Sequence, residues 1–174
     1  EPARAVQRHT AAVFGPQQLL TDSLDYMRQT TPHDAWMNTM PSYTLWWIRC
    51  QHDWYRYTGD RAYLAKQQAY LNAVLANVLK HITPEGRYGL PSGFLDWPTQ
   101  HNRKAVDAGM QALMLMAVED GARLAAVLGD AELAARRDRY ITARTRLAHL
   151  PFQKTLNQFD FSFQPSIDER QVRE

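Results

Sequence analysis

The stretch SYTLWWIRCQHDWYRYTGDRAYLAKQQAYLNAVLANVLKH, Ser42 to His81, decides the fold class. From Ser42 to Thr58 bulky residues fall on most sides, which predicts a helix packed on more than one face. Trp47, Trp54 and Tyr57 recur along one side at spacings of seven and three. Gly59 supplies a helix C-terminal turn and Asp60 an N-cap for the next helix, so the chain reverses at once. That next helix, Arg61 to about His81, turns Leu64, Leu71, Val74, Leu75 and Val78 inward. The unit so defined is an αα-hairpin.

Upstream, Pro16 fits the first position of a helix that carries Leu20, Leu24 and Met27 on one stripe to about Thr30. Residues 32–41 form a loop with Trp36, Met37 and Met40, apolar groups that must lie against something. Downstream, residues 83–101 are a long loop rich in Pro and Gly. A further helix from about Arg103 to Leu128 then carries Val106, Met110, Leu113, Met114, Ala117, Leu124 and Val127. Gly129-Asp130 repeats Gly59-Asp60, and the recurrence suggests stacked αα-hairpins. The expected architecture is mainly α: a partial α/α toroid of αα-hairpins over residues 1–136, with an extended or helical C-terminal tail over residues 137–174.

A length of 174 residues with 45% hydrophobic content supports one sizeable core, and no apolar run is long enough to span a bilayer. Twenty basic against 18 acidic side chains leave a net charge of +2, too balanced to demand a nucleic-acid partner for the whole molecule. Charge is uneven locally. Arg136, Arg137, Arg139, Arg144 and Arg146 give a basic face, which is either solvated or in salt-sensitive contact with DNA phosphates. Phe159, Phe161 and Phe163 alternate with polar residues in an extended pattern ending at Pro165.

Cys50 alone forms no intrachain disulfide and reads as a helix-packing residue. His33, His81, His101 and His149 lack metal-ligand spacing, so neither a metal nor a cofactor is expected. A start at Glu1 without methionine or an apolar leader suggests a processed or excised piece, and no compartment follows from it. His52 and Asp53 have the chemistry of a catalytic pair, but neighbours on a helix point about 100° apart, so they read as a solvated face. Glu119-Asp120 reads as surface, the alternative being that Glu119 faces a hollow.

The loop Gly93-Phe94-Leu95-Asp96-Trp97-Pro98 joins a carboxylate to an indole between two helices. An indole offers a flat apolar face to a sugar ring while a carboxylate accepts from its hydroxyls. The competing reading is a capping Asp beside a core Trp. With Trp36-Met37-Asn38, Pro41-Ser42-Tyr43-Thr44-Leu45-Trp46-Trp47 and Asp53-Trp54-Tyr55-Arg56-Tyr57-Thr58-Gly59-Asp60, this loop resembles the catalytic domain of bacterial α-L-rhamnosidases over about residues 10–135.

The rhamnosidase resemblance implies part of a six-hairpin glycosidase toroid, inversion at the anomeric carbon and a rhamnoside or related carbohydrate as partner. Trp46, Trp47, Asp96 and Trp97 would be its substrate-binding residues. Inverting hydrolysis needs an acid and a base roughly 6.5–9.5 Å apart. The stretches that provide them in that family are not found here, so an inactive glycoside-hydrolase fragment with no catalytic residue is expected.

The C-terminal residues resemble something else. Arg144-Thr145-Arg146-Leu147-Ala148, Leu150-Pro151-Phe152-Gln153-Lys154-Thr155-Leu156 and the run from Phe159 to Glu174 look like the segment preceding the nucleotide-binding core of IstB-type insertion-sequence helper ATPases. That resemblance implies a phosphate loop beyond Glu174, so no triphosphate is expected on these residues. Besides the glycosidase fragment, two readings stand: a DNA-associated transposition accessory segment, and a ligand-free helical scaffold that self-associates over an open edge. No membrane partner is expected.

Overall fold

The structure, a computed structural model, describes residues 18–83, 89–90, 93–98, 100–130 and 135. They form helix α1 (Gln18–Thr30), a short 3-10 turn (Met37–Thr39), and helices α2 (Pro41–Thr58), α3 (Arg61–Lys80) and α4 (Arg103–Leu128). The fold is mainly α, and the described residues include no β-strand.

Local chemistry explains the ends. Pro41 opens α2 where a missing N–H costs nothing. Gly59 closes it in the left-handed region (φ 65°), its N–H donating to the Tyr55 carbonyl at 2.8 Å. Asp60 Oδ1 then accepts from the Tyr63 N–H at 2.8 Å, which satisfies one orphan donor of α3. At the start of α4, Asn102 does the same for Ala105 at 3.1 Å. Gly129 (φ 84°) ends α4, and the Asp130 N–H donates to the Ala125 carbonyl at 2.8 Å. The carboxylate of Asp130 accepts from Asn72 Nδ2 on α3 at 2.8 Å, tying the end of α4 to the middle of α3.

Helix α4 packs most extensively on α2 and next on α3. Leu45, Ile48, Leu64, Leu71, Leu75, Met110, Leu113, Met114 and Leu124 fill the shared interior and are sealed from water. All five expected inward residues of α3 are buried, as are all those of α4 except the half-buried Val127. Gly121 lets α3 and α4 approach closely, since a Cβ there would stand 2.3 Å from Leu75 Cδ2. Polar pins hold α1. Trp47 Nε1 donates to the Leu24 carbonyl at 3.1 Å and Tyr70 Oη to that of Thr31 at 2.7 Å.

The loop before α2 does lie against something. Met37 is buried, its N–H donating to Thr44 Oγ1 at 2.9 Å, and the Trp36 ring sits 5.1 Å from that of His81. The turn that delivers Met37 puts Asn38 and the β-branched Thr39 at φ 50° and 61°, a strained conformation for Thr.

One expectation is corrected. Tyr57 does not continue the buried stripe of Trp47 and Trp54 but is exposed. Seven helical residues return about 20° short of the starting direction and three more add about 60°, so Tyr57 points some 80° away from Trp47. The mainly helical architecture is as expected: the described residues build four helices about one core, with α2–α3 a hairpin closed by a two-residue turn, and the helix expected after Gly129-Asp130 lies outside the described residues.

Candidate functional site

The four residues expected to seat a sugar occupy contrasting surroundings. Trp47 is 4% exposed, its N–H already used by Leu24. Trp46, one position along α2, is half-buried with the Arg49 guanidinium 5.8 Å from its ring centre. In the loop, Asp96 is half-buried, whereas Trp97 is 70% exposed and meets the Phe94 ring edge-on at 5.2 Å. Trp47 therefore faces the core and Trp97 solvent, with Trp46 between the two. Arg136, Arg137, Arg139, Arg144 and Arg146 lie outside the described residues, as do Phe159, Phe161 and Phe163.

The densest charge cluster is one that sequence reasoning placed at the surface. Asp120 on α4 is 4% exposed, and Arg49 and His52 on α2 are 8% and 7% exposed. Arg49 Nη1 lies 3.1 Å from Asp120 Oδ2, and Arg123 Nη1 donates to Oδ1 at 3.1 Å. His52 Nδ1 is also 3.1 Å from Oδ1, in range for charge attraction but off the line of a hydrogen bond. Asp53 is buried as well. The solvated faces expected for His52-Asp53 and Glu119-Asp120 are thus corrected for His52, Asp53 and Asp120, while Glu119 stays half-buried. Helix α4 covers this side of α2, and burial is tolerated because the charges meet across the interface.

Burial holds the His52 imidazole below its ordinary pKa. Asp120 opposes that shift, and Arg123 reinforces it. Asp120, shared among two guanidiniums and an imidazole, acts as a clamp between helices rather than as a base. Tyr63 is likewise kept protonated, its phenol pushed up by burial and by Asp25, so it serves as a donor. Arg49 and His52 are one turn apart on α2, as Asp120 and Arg123 are on α4. That doubled spacing was the available signal, but its meaning depends on which helices meet.

Among the described residues no group of His, Cys, Asp and Glu is arranged to hold a metal, and no helix is long and apolar enough to cross a membrane.

Comparison with known proteins decides between the two resemblances. Residues 110–174 match the family of IstB-like ATP binding proteins. The match begins inside α4 and takes in Asp120 and Arg123. Over 45 residues the chain is 44% identical to the "Insertion sequence IS5376 putative ATP-binding protein" of Geobacillus stearothermophilus, covering 26% of this chain and 18% of that protein. Over 39 residues it is 54% identical to the "Insertion sequence IS21 putative ATP-binding protein" of Pseudomonas aeruginosa, covering 22% of this chain and 15% of that protein. The chain thus spans less than a fifth of the length of either relative. No solved structure matches it significantly.

The likeness to IstB-type proteins is supported, and the α-L-rhamnosidase likeness is not. The glycoside-hydrolase function, and with it a rhamnoside partner, is overturned because the matched proteins are insertion-sequence ATP-binding proteins.

Proposed function

We propose that this chain serves as a DNA-associated segment of an insertion-sequence ATP-binding helper, with residues 110–174 as the working part. The observation that carries this reading is the family match over those residues. The relatives are named for ATP binding, yet the 174 residues contain no Gly-x-x-x-x-Gly-Lys-Ser/Thr, the backbone cradle that grips a nucleotide's phosphates. The role assigned to this chain is contact with DNA, and its chemistry lies in the clustered cations Arg136, Arg137, Arg139, Arg144 and Arg146.

Each phosphate neutralised by a cation releases counterions and steepens the dependence of log K on log salt by about 0.9. Binding of duplex DNA that weakens as salt rises is the expected result. Replacing all five arginines by Gln should flatten that slope by as much as about 4 to 5. An unchanged slope in the five-fold variant, or no binding by the parent chain at low salt, ends this reading.

A further inference from the structure

Helix α1 is held differently from the other three helices. The extensive packing joins α2, α3 and α4, and α1 lies outside it. Of its 13 residues only Thr21 and Leu24 are buried. A cleft of about 330 Å³ stays open between α1, the end of α2 and the first turns of α3, so α1 does not close fully on the surface beneath it. A helix this short is marginal in water by itself, and its hold comes from what that surface offers.

The surface is a groove along the α2–α3 hairpin. Two edge-to-face aromatic pairs floor it: Trp47 with Tyr70 and Trp54 with Tyr63, ring centres 5.3 and 5.9 Å apart. Four side chains donate from it to α1 and the residue that follows. Trp47 Nε1 donates to the Leu24 carbonyl at 3.1 Å, and Tyr70 Oη to that of Thr31 at 2.7 Å. Gln67 Nε2 and Tyr63 Oη both donate to Asp25 Oδ1, at 2.5 and 3.3 Å. Tyr63, Gln67 and Tyr70 are spaced four and three apart, so these donors form one stripe on α3. With Trp47 4% exposed and Gln67 0%, the groove carries donors that need a helix laid over them.

The join to α2 allows release. Pro32, His33, Asp34 and Ala35 are all exposed, and the hydrogen bond among them is local, from the Ala35 N–H to the Pro32 carbonyl at 3.0 Å. Met37 beyond them is anchored in the core and to Thr44, which confines bending to this stretch.

We propose that the groove docks α1 in trans as well as in cis, so that two copies of the chain exchange their α1 helices. Each groove then meets the same carbonyls, the same carboxylate and the same Leu24, and every contact of the closed chain is kept. A short tether holds α1 at an effective concentration on the order of millimolar, so the closed chain prevails below that range and exchange above it.

The test uses two full chains with one change each, Asp25→Lys and Gln67→Glu. Closed on itself, the first loses the carboxylate and the second sets two carboxylates together. Exchange between the two chains pairs the new lysine with the new glutamate in one groove and restores Asp25 with Gln67 in the other. Sedimentation reads assembly, and the indole N–H resonance of Trp47, identified by Trp47→Phe, reads whether the Leu24 carbonyl is in place. Each variant alone should be monomeric. Their equimolar mixture should form a one-to-one dimer, with a dissociation constant at least about tenfold below the parent's, and return the Trp47 resonance to its parent position. If circular dichroism shows that Gln67→Glu loosens the fold, the parent chain decides: refolded at about millimolar concentration it should yield a dimer. A mixture of folded variants that sediments as the sum of its parts, a dimer whose Trp47 resonance does not recover, or a parent chain that stays monomeric after such refolding would overturn the exchange. None of these readouts involves DNA.

Discussion

Helix α2 and the loop Gly93–Pro98 are inverted with respect to the polarity of their side chains. Helix α2 buries Arg49, His52 and Asp53, while the loop holds an indole in water. The difference lies in what each meets. A charge enters the interior when a neighbouring element brings a counter-charge, as α4 brings Asp120 to Arg49. Trp97 meets the edge of Phe94 and remains mostly in solvent, whereas Leu95 of the same loop reaches α4, its Cδ2 standing 2.2 Å from where a Cβ on Gly109 would be.

The largest effect should come from breaking the clamp. Asp120→Ala leaves Arg49 and His52 facing each other in a buried site and should cost about 3–5 kcal/mol in denaturant unfolding. A double-mutant cycle with Arg49→Met should recover part of that loss, and simple additivity would show the pair to be uncoupled. Gly121→Val, which drives a branched side chain against Leu75, should cost about 1–3 kcal/mol, and Leu75→Ala in the same chain should relieve it.

A gentler effect is pH dependence through His52. Its pKa is lowered in the fold from the ordinary 6.5, so the unfolded chain binds a proton more readily. The contribution is complete above pH 6.5 and falls as pH drops through that value towards the lowered one. Comparing unfolding free energies with those of His52→Gln should isolate this slope, and equal slopes would place the imidazole in a water-like setting. The smallest effect is expected from Trp97→Ala, within about 0.5 kcal/mol, as for an exposed side chain away from caps and ion pairs. A larger loss there would mean that the loop packs more of its indole than its exposure indicates.

Much of the fold was legible because its signals are local. Gly59, Asp60 and Gly129 each satisfy or terminate a backbone pattern within one turn, and the apolar period of α3 and α4 needs no partner to be read. The charge cluster was not, since Arg49 and Asp120 are far apart in sequence and a mid-helix carboxylate looks the same whether it faces water or a guanidinium. The functional misreading has another root: Asp96-Trp97 suits either a sugar seat or a helix cap beside a packed indole, and the family match over residues 110–174, not the placement of that pair, is what overturned the glycosidase reading. The IstB-type likeness was carried by the run from Arg144 to Glu174, which the family match includes.

Because Met110, Leu113, Met114 and Leu124 fill the same interior as Leu45, Ile48, Leu71 and Leu75, the portion that matches the insertion-sequence family shares its core with the portion that precedes it. A core shared in this way predicts that α2 and the described part of the matched portion, α4, melt together. Amide hydrogens in the middle of α2 and α4 should therefore exchange at one common opening free energy, and a chain severed before Met110 would forfeit both.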